Sequence, residues 1–240
     1  MTKKVINQND KFREELINTI EPNFIFHDKP INRFINNDAK LDDNQSKNKN
    51  ELLLKLKKQI NSIENCKLKE NSNKIILGEG NINSPLMLIG ESPGAEEEKL
   101  GVPFRGEVGE LLNKMLIAIN IKRQNIYTSY AINFRPPDDR KPTSTEIKRY
   151  SVFLKEHISI INPKIIVLMG SSAMEALTGI SEKITNERGH WKEVILKNKT
   201  FPLMITFNPS YLIRFPENKK HSWEDLKKIR DKIKDLKLKI

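Results

Sequence analysis

Residues 85–94 read PLMLIGESPG, and this stretch decides the fold class. PLMLIG is almost continuously apolar, as a strand must be when both of its faces are covered. The following Gly90-Glu91-Ser92-Pro93-Gly94 forms a tight turn with exposed backbone N–H groups. Three more short apolar runs lie downstream: IYTSYAI (126–132), IIVLMG (165–170) and LMITF (203–207). Helical patterns separate them over 107–119, 144–161 and 171–177, and another runs from Ser222 to the end. Thr143-Ser144-Thr145-Glu146 supplies N-cap candidates and an acid in the first turn. This alternation predicts an α/β fold, with a parallel sheet between helix layers. Ligand sites in such sheets lie at the carboxyl ends of the strands. Three of the four predicted strands run there into irregular loops: GESPG, INFRPPDDR and NPSYLIR.

Upstream, the pattern is different. INRFINNDAKLDDNQSKNKN (31–50) is polar and nearly aperiodic, and reads as a linker or disordered stretch. Leu52, Leu53, Leu56, Ile60 and Ile63 then recur at helical spacing. Phe12, Leu16, Ile17 and Ile20 suggest an earlier helix, limited by Pro22. The predicted organisation is an N-terminal extension with helices and a polar linker over 1–60 and an α/β domain over 61–240.

The net charge of +11 favours polyanionic partners, nucleic acid first. A+T-rich coding gives the same excess, since Lys, Asn and Ile abound throughout. The single cysteine, Cys66, excludes an intramolecular disulfide and a cysteine-held metal. With no apolar run of membrane-spanning length and no apolar signal core, a cytoplasmic protein is expected.

The loops hold the candidate chemistry. Glu91 follows the first strand, where it serves equally well as a cap. Phe104, in Pro-Phe-X-Gly, is either a ligand platform or core. The loop over 133–142 carries three prolines and Arg135, Arg140 and Lys141, which suits a phosphate backbone or a solvated turn. Gly170-Ser171-Ser172 forms a strand-to-helix turn able to hold a phosphate. GxGxxG and GxxxxGK[ST] are absent, which disfavours a generic nucleotide-binding domain.

LMLIGESPGAEEEKLGVPFRGEVGELLNKML, RPPDDRKPTSTEI, PKIIVLMGSSAMEAL, ERGHW and ITFNPSYLIRFPENKKHSWEDL together resemble the family-4 (thermostable-type) uracil-DNA glycosylases, over about residues 61–234. The resemblance implies a three-layer αβα fold with a central four-stranded parallel sheet. It also implies a monomeric enzyme that flips a deaminated base out of DNA and hydrolyses its N-glycosidic bond.

On that resemblance Glu91 handles water, Asn208 donates to base O2, and Phe104 stacks on the base. Gly90, Pro93, Gly94 and Tyr130 line the base pocket. Arg135, Gly170, Ser171, Ser172, Ser210 and Arg214 hold DNA phosphates, with Tyr211, Leu212 or Ile213 as the wedge. None of the histidines falls in the matched pocket motifs.

The departures from the family are specific. Its usual pocket Asn and motif-leading His correspond to Tyr130 and Asn208. Its four cluster cysteines correspond to Ile63, Cys66, Phe134 and Tyr150, so no iron–sulfur cluster, metal or other cofactor is expected. Excision of hypoxanthine or xanthine, or DNA binding by a catalytically impaired relative, are the alternatives these departures raise.

Overall fold

The computed structural model describes residues 38–72 and 74–240. The helix expected around Phe12–Ile20 and the start of the expected linker lie outside the described residues. Among the described residues six strands occur: β1 (Gly78–Gly80), β2 (Leu86–Gly90), β3 (Tyr127–Tyr130), β4 (Ile165–Met169), β5 (Trp191–Leu196) and β6 (Lys199–Thr206). They form one sheet in the order β1-β3-β2-β4-β6-β5. All four apolar runs become strands, and these four are parallel neighbours.

The sheet nevertheless has six strands and not four, because β1 and β5 add antiparallel edges. Gly78-Glu79-Gly80 carries no apolar signal. β5 is half exposed, and it pairs with β6 across a two-residue turn. The turn residues Lys197 and Asn198 both have positive φ, the conformation that matches strand twist in a tight hairpin.

Nine helices are described: α1 (Asp38–Asn61), α2 (Lys67–Glu70), α3 (Ala95–Leu100), α4 (Gly106–Ile117), α5 (Ser144–Ile161), α6 (Ser171–Thr178), α7 (Ile184–Glu187), α8 (Pro209–Arg214) and α9 (Lys219–Asp235). Strand side chains alternate between two cores. Met87, Ile89, Ile166, Leu168, Leu203 and Ile205 pack with residues of α1, α5 and α6. Leu86, Leu88, Ile165, Val167 and Met204 pack with residues of α4 and α9. Helices thus cover both faces. The α5 start is as the sequence predicts: the Thr143 hydroxyl accepts from Glu146 N at 3.3 Å, and Glu146 accepts from Thr143 N at 2.7 Å.

The segment 38–50, expected as linker, is the first half of α1. Tertiary contacts account for it where periodicity does not. Lys49 Nζ donates to the Ile82 and Ile161 carbonyls at 3.0 and 2.8 Å, and Asn83 Nδ2 donates to Ser46 Oγ at 2.7 Å. Further along α1, Leu53, Leu56 and Ile60 enter the core while Leu52 is exposed. Residues 42–240 form one compact unit, so α1 residues assigned to the extension by sequence help build the core. Among the described residues no helix is long and apolar enough to cross a membrane.

Beneath the sheet, His157 Nε2 lies 3.0 Å from the Tyr127 hydroxyl and Nδ1 lies 3.3 Å from Ser129 Oγ. Burial lowers its pKa from 6.5 to about 3. The unfolded chain therefore takes up this proton first as the pH falls. Its contribution to stability is complete above the unfolded value of 6.5 and is lost as pH drops toward 3. Thermal melts of wild type and His157→Gln across this range are expected to show a steeper acid loss for the wild type.

Candidate active site

Strand register brings the candidate chemistry to one sheet edge. Gly90 pairs with Tyr130, Ile89 with Leu168, and Met169 with Thr206. The strands thus end level, and the residues just beyond them, Glu91, Gly170 and Asn208, meet.

Glu91 Oε1 accepts from Ser172 N at 2.9 Å and from Ser171 Oγ at 3.2 Å. Its Oε2 accepts from Asn208 Nδ2 at 3.2 Å. The carboxylate is therefore fixed by the N-terminus of α6, where free backbone N–H groups favour an anion. Gly170 permits this contact. Its φ is +108°, and a Cβ there would lie 2.3 Å from the Glu91 carboxyl carbon.

Asn208 is buried and caps α8, its Oδ1 accepting from Ser210 N at 3.1 Å. Pro209 follows as the first helical residue, where its missing N–H costs nothing. Cap and carboxylate contact together fix the Asn208 amide. One of its two N–H bonds serves Glu91, and the other remains for a ligand.

A cleft of about 670 Å³ opens over this pair. It is lined by residues 91–97 and 139–142, by Arg105, Glu107, Val108 and Tyr130, and by Asn208, Ser210, Ile213 and Arg214. Pro93 and Gly94 line it as expected, but Gly90 and Phe104 do not. Phe104 is buried beneath Tyr130, the rings 4.7 Å apart and tilted by 31°. Gly90 leaves room for this pair, since a Cβ there would come within 2.7 Å of both rings. The Arg123 guanidinium lies 5.3 Å from the Phe104 ring centre. The ring that borders the cleft is thus Tyr130. Its hydroxyl accepts from Phe104 N at 3.0 Å, and burial, reinforced by the Glu97 carboxylate, raises its pKa well above the usual tyrosine value.

The other candidates divide. Ser210 and Arg214 line the cleft. Arg135 does not: its guanidinium grips Asp139 through two bonds of 2.8 and 3.0 Å and reaches Glu98 at 3.2 Å. Ser172 is buried and, with Ser171, serves Glu91 in place of an open phosphate turn. Of the three wedge candidates only Ile213 lines the cleft. Leu212 is buried, and Tyr211 stacks between Phe207 and Phe215. Arg105 and Glu97 are lining residues that sequence reasoning did not single out. In sequence they stand in GAEEEKL and GVPFRG, where several acids adjoin and no period marks the one that faces the cleft.

A family model described as the uracil DNA glycosylase superfamily matches residues 77–227, which span both the sheet and the cleft. The chain belongs to that superfamily. Its similar proteins include a type-4 uracil-DNA glycosylase of Thermotoga maritima, 35% identical over 187 residues, covering 77% of this chain and 96% of the relative. The type-4 enzyme of Sulfurisphaera tokodaii is 34% identical, covering 75% and 84%. That of Archaeoglobus fulgidus is 28% identical, covering 72% and 88%.

By the resemblance, a 4Fe–4S group would need thiolates at four positions that here hold Ile63, Cys66, Phe134 and Tyr150. Cys66 Sγ lies 3.3 Å from the Tyr150 hydroxyl, and Phe134 packs edge-on against Tyr150 at 6.3 Å. Ile63 packs at the margin of the same core. One thiol among apolar and aromatic side chains does not make up the four-thiolate set such a cluster needs. Among the described residues no group of three or more His, Cys, Asp or Glu is arranged to hold a metal ion.

Proposed function

We propose that this protein is a uracil-DNA glycosylase that hydrolyses the N-glycosidic bond of a flipped deoxyuridine. The observation that carries this reading is the Glu91–Asn208 pair, fixed at 3.2 Å at the floor of the cleft. In the reaction the N1–C1′ bond breaks, and its electron pair leaves with the uracil ring. The second Asn208 N–H donates to O2, where that negative charge collects. Glu91 faces the sugar, offsets the oxocarbenium charge and orients the water that forms the new C1′–O bond. The water's proton passes to the carboxylate or to solvent, the departing uracil anion takes up a proton from solvent, and free uracil and an abasic site result.

Asn208 supplies a neutral hydrogen bond and no proton, which suffices when uracil departs as a stabilised anion. Tyr130 offers the base a ring face, while its hydroxyl is occupied with Phe104 N. Arg214, Ser210 and Lys141, at the rim, face the phosphates, while the Arg140 guanidinium is held by Glu146 through bonds of 2.9 and 2.7 Å. The enzyme works as a monomer in the cytoplasm, without an iron–sulfur cluster. Cys66, Phe134 and Tyr150 fill by packing the region that the cluster would tie together.

The deciding experiment is single-turnover cleavage of labelled duplexes carrying uracil, hypoxanthine, xanthine or cytosine, followed by alkali. Strand breaks at uracil alone are expected, from protein that contains no acid-labile sulfide. Breaks at another base without uracil cleavage would overturn the substrate assignment. Tyr130→Phe is expected to keep kcat/KM for uracil within about threefold and to lower the melting temperature, because the lost bond, to Phe104 N, is worth about 1 kcal/mol. A large fall in kcat/KM with unchanged stability would show instead that the hydroxyl reads the base.

A further inference from the structure

Phe207, Tyr211 and Phe215 recur every four residues from the end of β6 through α8, and their rings stack in series. The first step is 5.0 Å and 26°, the second 4.8 Å and 36°. The inner end of the series is fixed. Phe207 is buried, and the Arg188 guanidinium lies 5.6 Å from its ring centre. Arg188 is in turn held by the buried Asp225, its Nε donating at 3.0 Å. The outer end is open. Phe215 is 43% exposed, and among the described residues its only ring partner is Tyr211. It directly follows Ile213 and Arg214, both of which line the cleft.

An aromatic ring in this setting is usually buried. Here the backing rings hold it still, so a stacking partner would lose little further freedom. Flipping a nucleotide leaves its neighbours in the strand with an uncovered base face. A supported, solvent-facing ring beside an exposed arginine matches that vacancy, with stacking for the base and charge for its phosphate. We infer that Phe215 is a DNA contact on which a base flanking the flipped nucleotide stacks. The inference rests on the glycosylase reading for the identity of its ligand. It adds a contact outside the cleft that none of the lining residues provides.

The test uses the full chain and a duplex with uracil opposite guanine and 2-aminopurine next to the uracil. Phe215→Ala is expected to raise the half-saturating DNA concentration about tenfold, within the range of a lost base–aromatic stack, while the maximal single-turnover rate stays within about twofold. The 2-aminopurine signal change on binding should shrink in the same variant. Phe215→Trp should behave as wild type and Phe215→Leu as Phe215→Ala, an order that remains readable if Phe215→Ala fails to fold.

Unchanged half-saturation in folded Phe215→Ala would overturn the inference. So would a Phe215→Leu variant indistinguishable from wild type, since packing on Tyr211 would then be the whole role. Wild-type protein that binds the duplex through Phe215 but releases no uracil would sink the glycosylase reading alone. Absence of DNA binding by the wild type would sink both.

Discussion

Glu91→Gln is expected to lower the single-turnover rate of uracil release by about two to three orders of magnitude, with DNA affinity within a few-fold of wild type. The substitution keeps the shape of the side chain and removes its charge. In the folded protein the carboxylate accepts three hydrogen bonds, from Ser172 N, Ser171 Oγ and Asn208 Nδ2. A glutamine can accept at one oxygen only, and its NH2 must face a donor, so one of these contacts becomes repulsive. The sugar's developing positive charge also loses its counter-charge. Neither effect touches the rim residues, so binding and chemistry should separate. Rapid-quench measurement of abasic-site formation, beside fluorescence anisotropy with the same duplex, checks this. A rate within threefold of wild type would remove Glu91 from the mechanism.

The second large effect is at Asn208, where two roles can be pulled apart. Asn208→Ala removes the N–H proposed to donate to uracil O2, with an expected loss of about two to three orders of magnitude in rate. It also removes the cap on Ser210 N, worth about 1 kcal/mol of stability. Asn208→Asp keeps an acceptor for Ser210 N, but sets a second carboxylate against Glu91 Oε2 in place of a donor. At neutral pH it should therefore fall in rate at least as far as Asn208→Ala. The like-charge contact, and not the cap, would then set its stability. Thermal melts over pH separate the terms: Asn208→Asp should gain stability as the pH falls and one carboxyl of the pair is protonated, because that relieves the repulsion. If Asn208→Asp keeps the wild-type rate, the donor role is wrong.

Much of the candidate site is legible in the residues because its side chains sit where strands end. Buried strands announce themselves by continuous apolar runs, and the loops after them hold Glu91, Gly170 and Asn208. The parts that were not legible depend on which way side chains turn. Phe104 and Tyr130 lie 26 positions apart in the sequence. Only the absence of a Cβ at Gly90, between them, lets Tyr130 cover Phe104 and take its place at the cleft. Arg135 reads as a phosphate contact until Asp139, one loop turn on, and Glu98, from α3, occupy its guanidinium. The Ser171-Ser172 turn reads as an anion site, and it is one, but the anion is Glu91.

By itself, then, the sequence determined the alternation of buried strands and amphipathic helices, and the irregular loops at their carboxyl ends. It also determined that the chain holds a single cysteine. These features rest on composition and period, which act locally. Tertiary structure decided the rest. It recruited β1 and β5 to the sheet edges, where backbone pairing needs little apolar signal. It also turned the polar start of α1 into a helix held by Lys49 and Ser46. And it chose which of several plausible side chains face the cleft, because hydrogen bonds and ring contacts between distant segments fix orientations that no local pattern encodes.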